Sequence, residues 1–115
     1  MTELNELQSN QELTQAWEHS VEEPVLVFKH STTCPISATA FEQYQTFLES
    51  AGNDLNSYVI KVIENRDISN QLAEDTGVKH ESPQVFLIRN KGVLWHTSHS
   101  NITADAIAGA MQRAR

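Results

Sequence analysis

Strand-like and helix-like patterns alternate along most of the chain, and then two strand-like patterns follow one another directly. Compact apolar runs rich in β-branched residues occupy residues 25–28 and 58–63. Two further runs, Gln84–Arg89 and Val93–Thr97, are separated only by Asn90-Lys91-Gly92, which suits a hairpin turn. The last two strands are therefore predicted to pair antiparallel, whereas a strand–helix–strand connection predicts a parallel pair.

Four helical patterns surround these strands, so the predicted order is α-β-α-β-α-β-β-α. The predicted helix limits are Ser9 and Asn10 before the first helix, Pro35 and Gly52 at the ends of the second, Asp67 and Gly77 at the ends of the third, and Thr103 before the fourth. In the second helix, the apolar stripe is predicted to begin at Ile36. The order predicts an α/β, thioredoxin-like fold, with a mixed four-stranded sheet flanked by helices on both faces.

Size and charge narrow the function classes. A chain of 115 residues has the size of one domain, so residues 1–115 are predicted to form a single thioredoxin-like domain. The net charge is -7 and the basic residues are scattered, which argues against nucleic acid or membrane as a partner. The sequence shows no long apolar run and no secretory signal, which predicts a cytoplasmic protein.

The single cysteine, Cys34, lies between a predicted buried strand and a predicted helix. Proline is favoured at the first helical position, so Pro35 places Cys34 at the N-cap, where free N–H groups and the helix dipole favour a thiolate. Thiolate is the reactive form of cysteine. Lys29 and His30, just upstream, add positive charge if their side chains reach this loop. A buried structural cysteine is the alternative, but the polar strand-to-helix turn favours a nucleophile.

Three residues after the cysteine, where a two-cysteine oxidoreductase needs its second thiol, the chain has Ser37. A serine hydroxyl can donate a hydrogen bond to a thiolate, but it cannot attack a mixed disulfide. Any disulfide formed at Cys34 must then be resolved by a thiol of another molecule. A serine introduced by engineering would give the same sequence, and the residues alone do not distinguish the two origins.

A second motif, His80-Glu81-Ser82-Pro83-Gln84, comes immediately before the third predicted strand. A cis peptide bond before Pro83 would turn the backbone of Ser82 outward and offer its N–H and C=O groups to an extended ligand beside Cys34. An ordinary trans proline is the alternative, and it is favoured by frequency because only about 5% of X-Pro bonds are cis.

Together these residues resemble a known family. The stretches that carry the resemblance are residues 29–37, residues 80–84, Ser98-His99 and Ile102-Thr103. They are similar to the monothiol bacilliredoxin family of bacillithiol-using bacteria. The resemblance implies a thioredoxin fold, a nucleophile at Cys34, a cis-proline at Pro83 and a Ser37 that is native to the motif. Ser100 departs from the family pattern, in which an aromatic residue often follows the histidine.

The function implied by the resemblance is removal of bacillithiol from S-bacillithiolated proteins. The partners it implies are bacillithiol as co-substrate, S-bacillithiolated proteins and a thiol reductant, with no tightly bound cofactor. A thioredoxin-fold binding module without redox turnover is the alternative function. The residues predicted to tune the thiolate are His30, Thr33, Pro35 and Ser37, and those predicted to hold the ligand are Ser82, Pro83, Ser98 and His99.

Two other chemistries are disfavoured by spacing. His96 and His99 have the spacing of neither a zinc finger nor a helical zinc site, and one cysteine cannot build a zinc cluster, so no metal site is predicted. A phosphatase or arsenate reductase loop needs an arginine six residues after the cysteine, and that position is Ala40.

Overall fold

A computed structural model describes residues 4–51 and 56–114. Its elements, in chain order, are β1 (Leu4–Glu6), α1 (Asn10–His19), β2 (Val25–His30), α2 (Pro35–Ala51), β3 (Asn56–Lys61), α3 (Arg66–Thr76), β4 (Gln84–Arg89), β5 (Gly92–Ser98), a 3₁₀ turn (His99–Asn101) and α4 (Ala104–Ala114).

The strands form one mixed sheet with the order β1-β3-β2-β4-β5. β3 runs parallel to both β1 and β2, whereas β4 is antiparallel to β2 and to β5. The predicted fold class and strand directions are therefore confirmed. The predicted count of four strands is wrong, because Leu4–Glu6 adds a short edge strand that pairs with Ser57–Val59. Three residues are too few to show a strand periodicity in the sequence.

Two apolar layers lie on opposite faces of the sheet, because successive strand residues point to opposite sides. On one face α2 and α4 cover a cluster that includes Phe28, Tyr44 and Val59. On the other face α1 and α3 cover a cluster that includes Val27 and Ile60. Helices thus lie on both faces, as predicted, and adjacent residues at the end of β2 face different layers.

The structure confirms most of the predicted helix ends. Ser9 caps α1 by accepting a hydrogen bond from the N–H of Glu12, and the Thr103 hydroxyl accepts one from Ala106 N–H at 3.1 Å. Gly77 ends α3 with a φ of 71°, in the left-handed region that favours glycine. The predicted cap Asp67 is wrong: α3 begins at Arg66, Asn65 occupies the cap position, and Asp67 lies in the first turn. The predicted stop at Gly52 lies outside the described residues.

The predicted hairpin forms a two-residue turn. Asn90 and Lys91 have φ values of 55° and 60°, and Arg89 pairs with Gly92. At the other end of the hairpin, Ser98 pairs with Gln84, which brings the segment after β5 next to the start of β4. Among the described residues, no helix has the length and apolar character needed to cross a membrane.

Candidate active site

Three segments that the sequence separates meet at one end of the sheet. Lys29 pairs with Gln84, and Gln84 pairs with Ser98, so these residues lie side by side across three strands. Three segments leave or enter the sheet at this end: the loop that carries Cys34, the segment that carries Pro83 and the turn that begins at His99. The strand pairing therefore brings together the residues that the sequence predicted to act together.

Cys34 is partly exposed and directly precedes α2. Its carbonyl accepts the N–H of Ala38 at 3.0 Å, the first hydrogen bond of the helix, and its own N–H donates to Ser31 O at 3.2 Å. Pro35, the first helical residue, has no N–H and therefore leaves no donor unsatisfied there. The predicted position of Cys34 at a helix N-terminus is confirmed.

Ser37 lies one turn further along α2 and is completely buried. Its Oγ accepts the N–H of Ser31 at 3.0 Å and lies 2.8 Å from Nδ1 of His30. The hydroxyl thus links the Cys34 loop to both β2 and α2. The polar partners found for Ser37 in the described chain are these two groups, so its predicted role as a donor to the thiolate stays a prediction.

His30 packs its ring against α2. The ring stacks on Phe41 with 4.5 Å between centroids and 17° between planes, and it lies 5.9 Å from Phe28. Burial lowers the pKa of His30, and the Lys61 cation lowers it further, against an opposing effect of Glu64. His30 is therefore neutral near pH 7, and the expectation that it adds positive charge to the loop is wrong.

Lys29 points away from the Cys34 loop. Its ammonium lies over the ring of Phe86, 5.6 Å from the centroid, and 3.1 Å from Nδ1 of His80. The expectation that Lys29 adds charge beside the cysteine is also wrong, because strand alternation sends Lys29 and His30 to opposite faces of the sheet. Thr33 is exposed, and its Oγ1 lies 3.5 Å from Oγ of Ser31.

The Ser82–Pro83 peptide bond is cis, as the family resemblance implies. The carbonyl of Pro83 accepts the N–H of His99 at 3.0 Å, which ties this segment to the 3₁₀ turn. Among the described residues, Ser82 Oγ is a buried side-chain oxygen without a hydrogen-bond partner. Buried polar atoms without a partner are uncommon in folded proteins, which sets this oxygen beside the proline apart.

The Ser98 hydroxyl donates a hydrogen bond to the Glu81 carboxylate at 2.6 Å. The end of β5 and the segment before β4 are therefore joined by side chains as well as by the backbone pairing of Ser98 with Gln84. This hydrogen bond is the main reason that the pKa of Glu81 lies below its usual value. His99 is exposed and has a φ of 54°, an uncommon conformation for a residue other than glycine. The side chain of His99 lines the groove described next.

A groove of about 350 Å³ runs between the first turns of α2 and the 3₁₀ turn. Its lining residues are Ile36, Thr39, Ala40, Gln43, His99, Ser100, Ile102 and Thr103, none of which is a carboxylate. Ile36, the first residue of the predicted apolar stripe of α2, lies in the helix but is 56% exposed, at the groove. The groove starts two residues after Cys34 and offers a mixed apolar and hydroxyl surface.

Sequence reasoning missed several contacts of this site. Thr39 and Gln43 carry no motif, and only the packing of α2 against the 3₁₀ turn shows that they line the groove. The contact of His80 with Lys29 joins residues that are 51 positions apart. No group of three or more potential metal ligands occurs within the described part of the chain.

Comparison with known proteins agrees with this geometry. The family model for monothiol bacilliredoxin BrxC matches residues 5–107. A solved protein described as a candidate oxidoreductase with a thioredoxin fold is 38% identical, with a TM-score of 0.85 over 93% of this chain and 92% of that one.

More distant structures share the fold alone. A mutant thioredoxin from Halobacterium salinarum NRC-1 is 19% identical, with a TM-score of 0.73 over 96% of this chain and 89% of that chain. Thioredoxin from Fasciola hepatica is 10% identical, with a TM-score of 0.77 over 96% and 99% of the two chains.

Proposed function

The chain belongs to the monothiol bacilliredoxin family, and on that premise we propose that it is a thiol–disulfide oxidoreductase that removes bacillithiol from S-bacillithiolated proteins. The observation that carries the proposal is the position of the single cysteine. Cys34 is partly exposed, directly precedes α2 and lies two residues from a groove large enough for a small thiol. A helix N-terminus favours a thiolate, which is the nucleophile in disulfide exchange.

In the proposed reaction, the Cys34 thiolate attacks the bacillithiol sulfur of the modified protein. A new disulfide forms between Cys34 and bacillithiol, the old disulfide breaks, and the protein cysteine leaves as a thiolate that takes a proton from water. A reductant thiol then attacks the mixed disulfide and releases Cys34. Since the chain has one cysteine, this second thiol belongs to another molecule.

For the ligand, we propose the groove and the backbone beside Pro83. Ser82 and Pro83 directly precede β4 and His99 lines the groove, which supports their predicted binding roles. For Ser98 we propose an indirect role in ligand binding, because its hydroxyl is already hydrogen-bonded to Glu81. The Cys34 loop is supported, in this proposal, by His30, Thr33, Pro35 and Ser37. The ring of His30 is neutral, and the buried Ser37 hydroxyl is the hydrogen-bond partner of that ring.

Bacillithiol is thus proposed as the co-substrate, and S-bacillithiolated proteins and a thiol reductant as the partners. We also propose that the reaction takes place in the cytoplasm. Preference for bacillithiol over glutathione rests on family membership. Equal or faster removal of glutathione from a matched glutathionylated protein would contradict that preference.

A de-thiolation assay separates this function from a binding module that uses the same groove. The purified protein and a reductant thiol are added to a bacillithiolated protein, and release of the protein thiol is followed by mass. We expect release that depends on Cys34 and is abolished in Cys34→Ser. A binding module would leave the mixed disulfide intact in both cases.

A further inference from the structure

Lys29 is a buried amine that the proposed reaction does not use. The residue has 0% exposure, and its neighbours Gln84 and Phe86 are buried with it. Within residues 4–51 and 56–114 the ion pairs are His19–Glu23 and Lys61–Glu6, so no carboxylate neutralises Lys29 in the described chain. Burying an ammonium without an anion costs stability, and groups of this kind are common at functional sites.

The polar partner of Lys29 is His80. Nζ of Lys29 lies 3.1 Å from Nδ1 of His80, and the Ser69 hydroxyl lies 3.3 Å from the same nitrogen. An ammonium can only donate, so Nδ1 accepts and the ring proton resides on Nε2. Lys29 therefore fixes the tautomer of His80.

The electrostatics agree with this hydrogen bond. Burial lowers the pKa of His80, and the cations of Lys29 and Arg66 lower it further, against Glu81, which raises it. Burial also lowers the pKa of Lys29 to about 8. Near pH 7 the pair consists of a charged Lys29 and a neutral His80, a combination that is compatible with the hydrogen bond.

The pair joins two parts of the candidate site. Lys29 is the penultimate residue of β2, five positions before Cys34, and His80 lies three positions before cis-Pro83. Gln84 strengthens the same junction, because it pairs with Lys29 across the sheet while its side chain bonds Lys79 O and Glu81 N–H. The segment from residue 79 to residue 83 is thus attached to β2 through the contacts of Lys29 and Gln84.

We propose that Lys29 is a positioning residue, which acts through His80 to hold the segment carrying Ser82 and cis-Pro83 in place for binding of the thiolated substrate. This inference rests on the proposed function of that segment in ligand binding. Lys29 does not touch Cys34 in this account. Its loss should weaken substrate binding and leave the nucleophile unchanged.

The first test is Lys29→Met, which keeps an unbranched side chain over Phe86 and removes the donor. For a bacillithiolated protein we expect KM to rise several-fold, while alkylation of Cys34 by iodoacetamide keeps its rate. The thermal midpoint at neutral pH should stay equal or rise, because a buried charge has been removed. An unchanged KM in a folded Lys29→Met protein would overturn the proposal.

His80 variants test the proposal on an exposed residue. His80→Asn places an acceptor oxygen near the position of Nδ1 and should retain the parental KM, whereas His80→Leu should raise KM as Lys29→Met does. The double variant Lys29→Met/His80→Leu should be no worse than either single variant. Additive losses would overturn the link through His80. Lys79→Met, on the same segment, is the matched control and should leave KM unchanged.

An NMR measurement separates this inference from the proposed function. In the parent, His80 should be neutral with its proton on Nε2, and in Lys29→Met its pKa should rise toward the usual value. These results would support the positioning of His80 by Lys29 even if the parent failed to remove bacillithiol. That failure would contradict only the proposed function. A His80 ring with its proton on Nδ1 would overturn the positioning of His80 by Lys29 even in an active enzyme.

Discussion

Nδ1 of His30 lies 2.8 Å from the Ser37 hydroxyl, so the last residue of β2 is tied directly to the first turn of α2. The same hydroxyl accepts the N–H of Ser31, which places the loop between these elements around one buried oxygen. The serine that replaces the second thiol of a two-cysteine motif is therefore a structural anchor of the Cys34 loop.

Ser37→Ala should destabilise the protein, because it leaves the Ser31 N–H and His30 Nδ1 without their partner. The expected loss is about 1–3 kcal/mol in the free energy of unfolding, measured by urea denaturation. Thr46→Ala is the control, since the partner of the Thr46 hydroxyl among the described residues is Glu42 O, on the exposed face of the same helix. It should change the free energy by less than about 0.5 kcal/mol. Equal losses in both variants would contradict the anchoring role.

Ser37→Cys should convert the one-cysteine cycle to a two-cysteine cycle. Residues 34 and 37 lie one helical turn apart, so the new thiol should attack the mixed disulfide on Cys34 within the molecule. After treatment with oxidised bacillithiol, which is reduced to two thiols, the mass of the variant should show the loss of two hydrogen atoms and no adduct. An adduct as persistent as that of the parent would mean that the two side chains do not meet.

The stability of the fold should decrease as the pH falls below about 6.5. The pKa of His30 is lower in the folded chain than its usual value, so the unfolded chain binds a proton first and is favoured. His30→Phe keeps a ring against Phe41 and removes this titration. Its free energy of unfolding should fall less than that of the parent between about pH 7.5 and pH 5.5. Identical slopes would contradict a neutral, partly buried His30.

Ile36→Asn should weaken binding at the groove without unfolding the protein, because Ile36 is exposed. Loss of its apolar contact with ligand is expected to cost about 1 kcal/mol, or about five-fold in KM for a bacillithiolated protein. Ile63→Asn is the matched control, since Ile63 is also exposed and does not line the groove. If both variants changed KM equally, the groove would not be the binding surface.

The order of elements was predictable because each long element has its own local signal. Tyr44, Phe47 and Leu48 repeat at helical spacing and are all buried, and the apolar run of β4 at residues 85–88 is also buried. The edge strand at Leu4–Glu6 was not predictable, because its stability comes from pairing with β3 and not from three residues of its own.

The position of the nucleophile was also predictable, since Cys34 and Pro35 are adjacent and their helix signal is local. The contacts around it were not. Whether Lys29 or His30 faces the cysteine depends on which side of the sheet α2 covers, and a sequence pattern does not contain that information. The contact between Lys29 and His80 likewise depends on the pairing of β2 with β4.

Intact mass spectrometry tests the central claim most directly. The reduced protein is mixed with a bacillithiolated substrate protein in the absence of other thiols, and both masses are followed with time. The account predicts that the substrate loses one bacillithiol while this chain gains one, with the adduct on Cys34, and that Cys34→Ser shows no transfer. A substrate that stays modified, or one that is released with no adduct on Cys34, would contradict it.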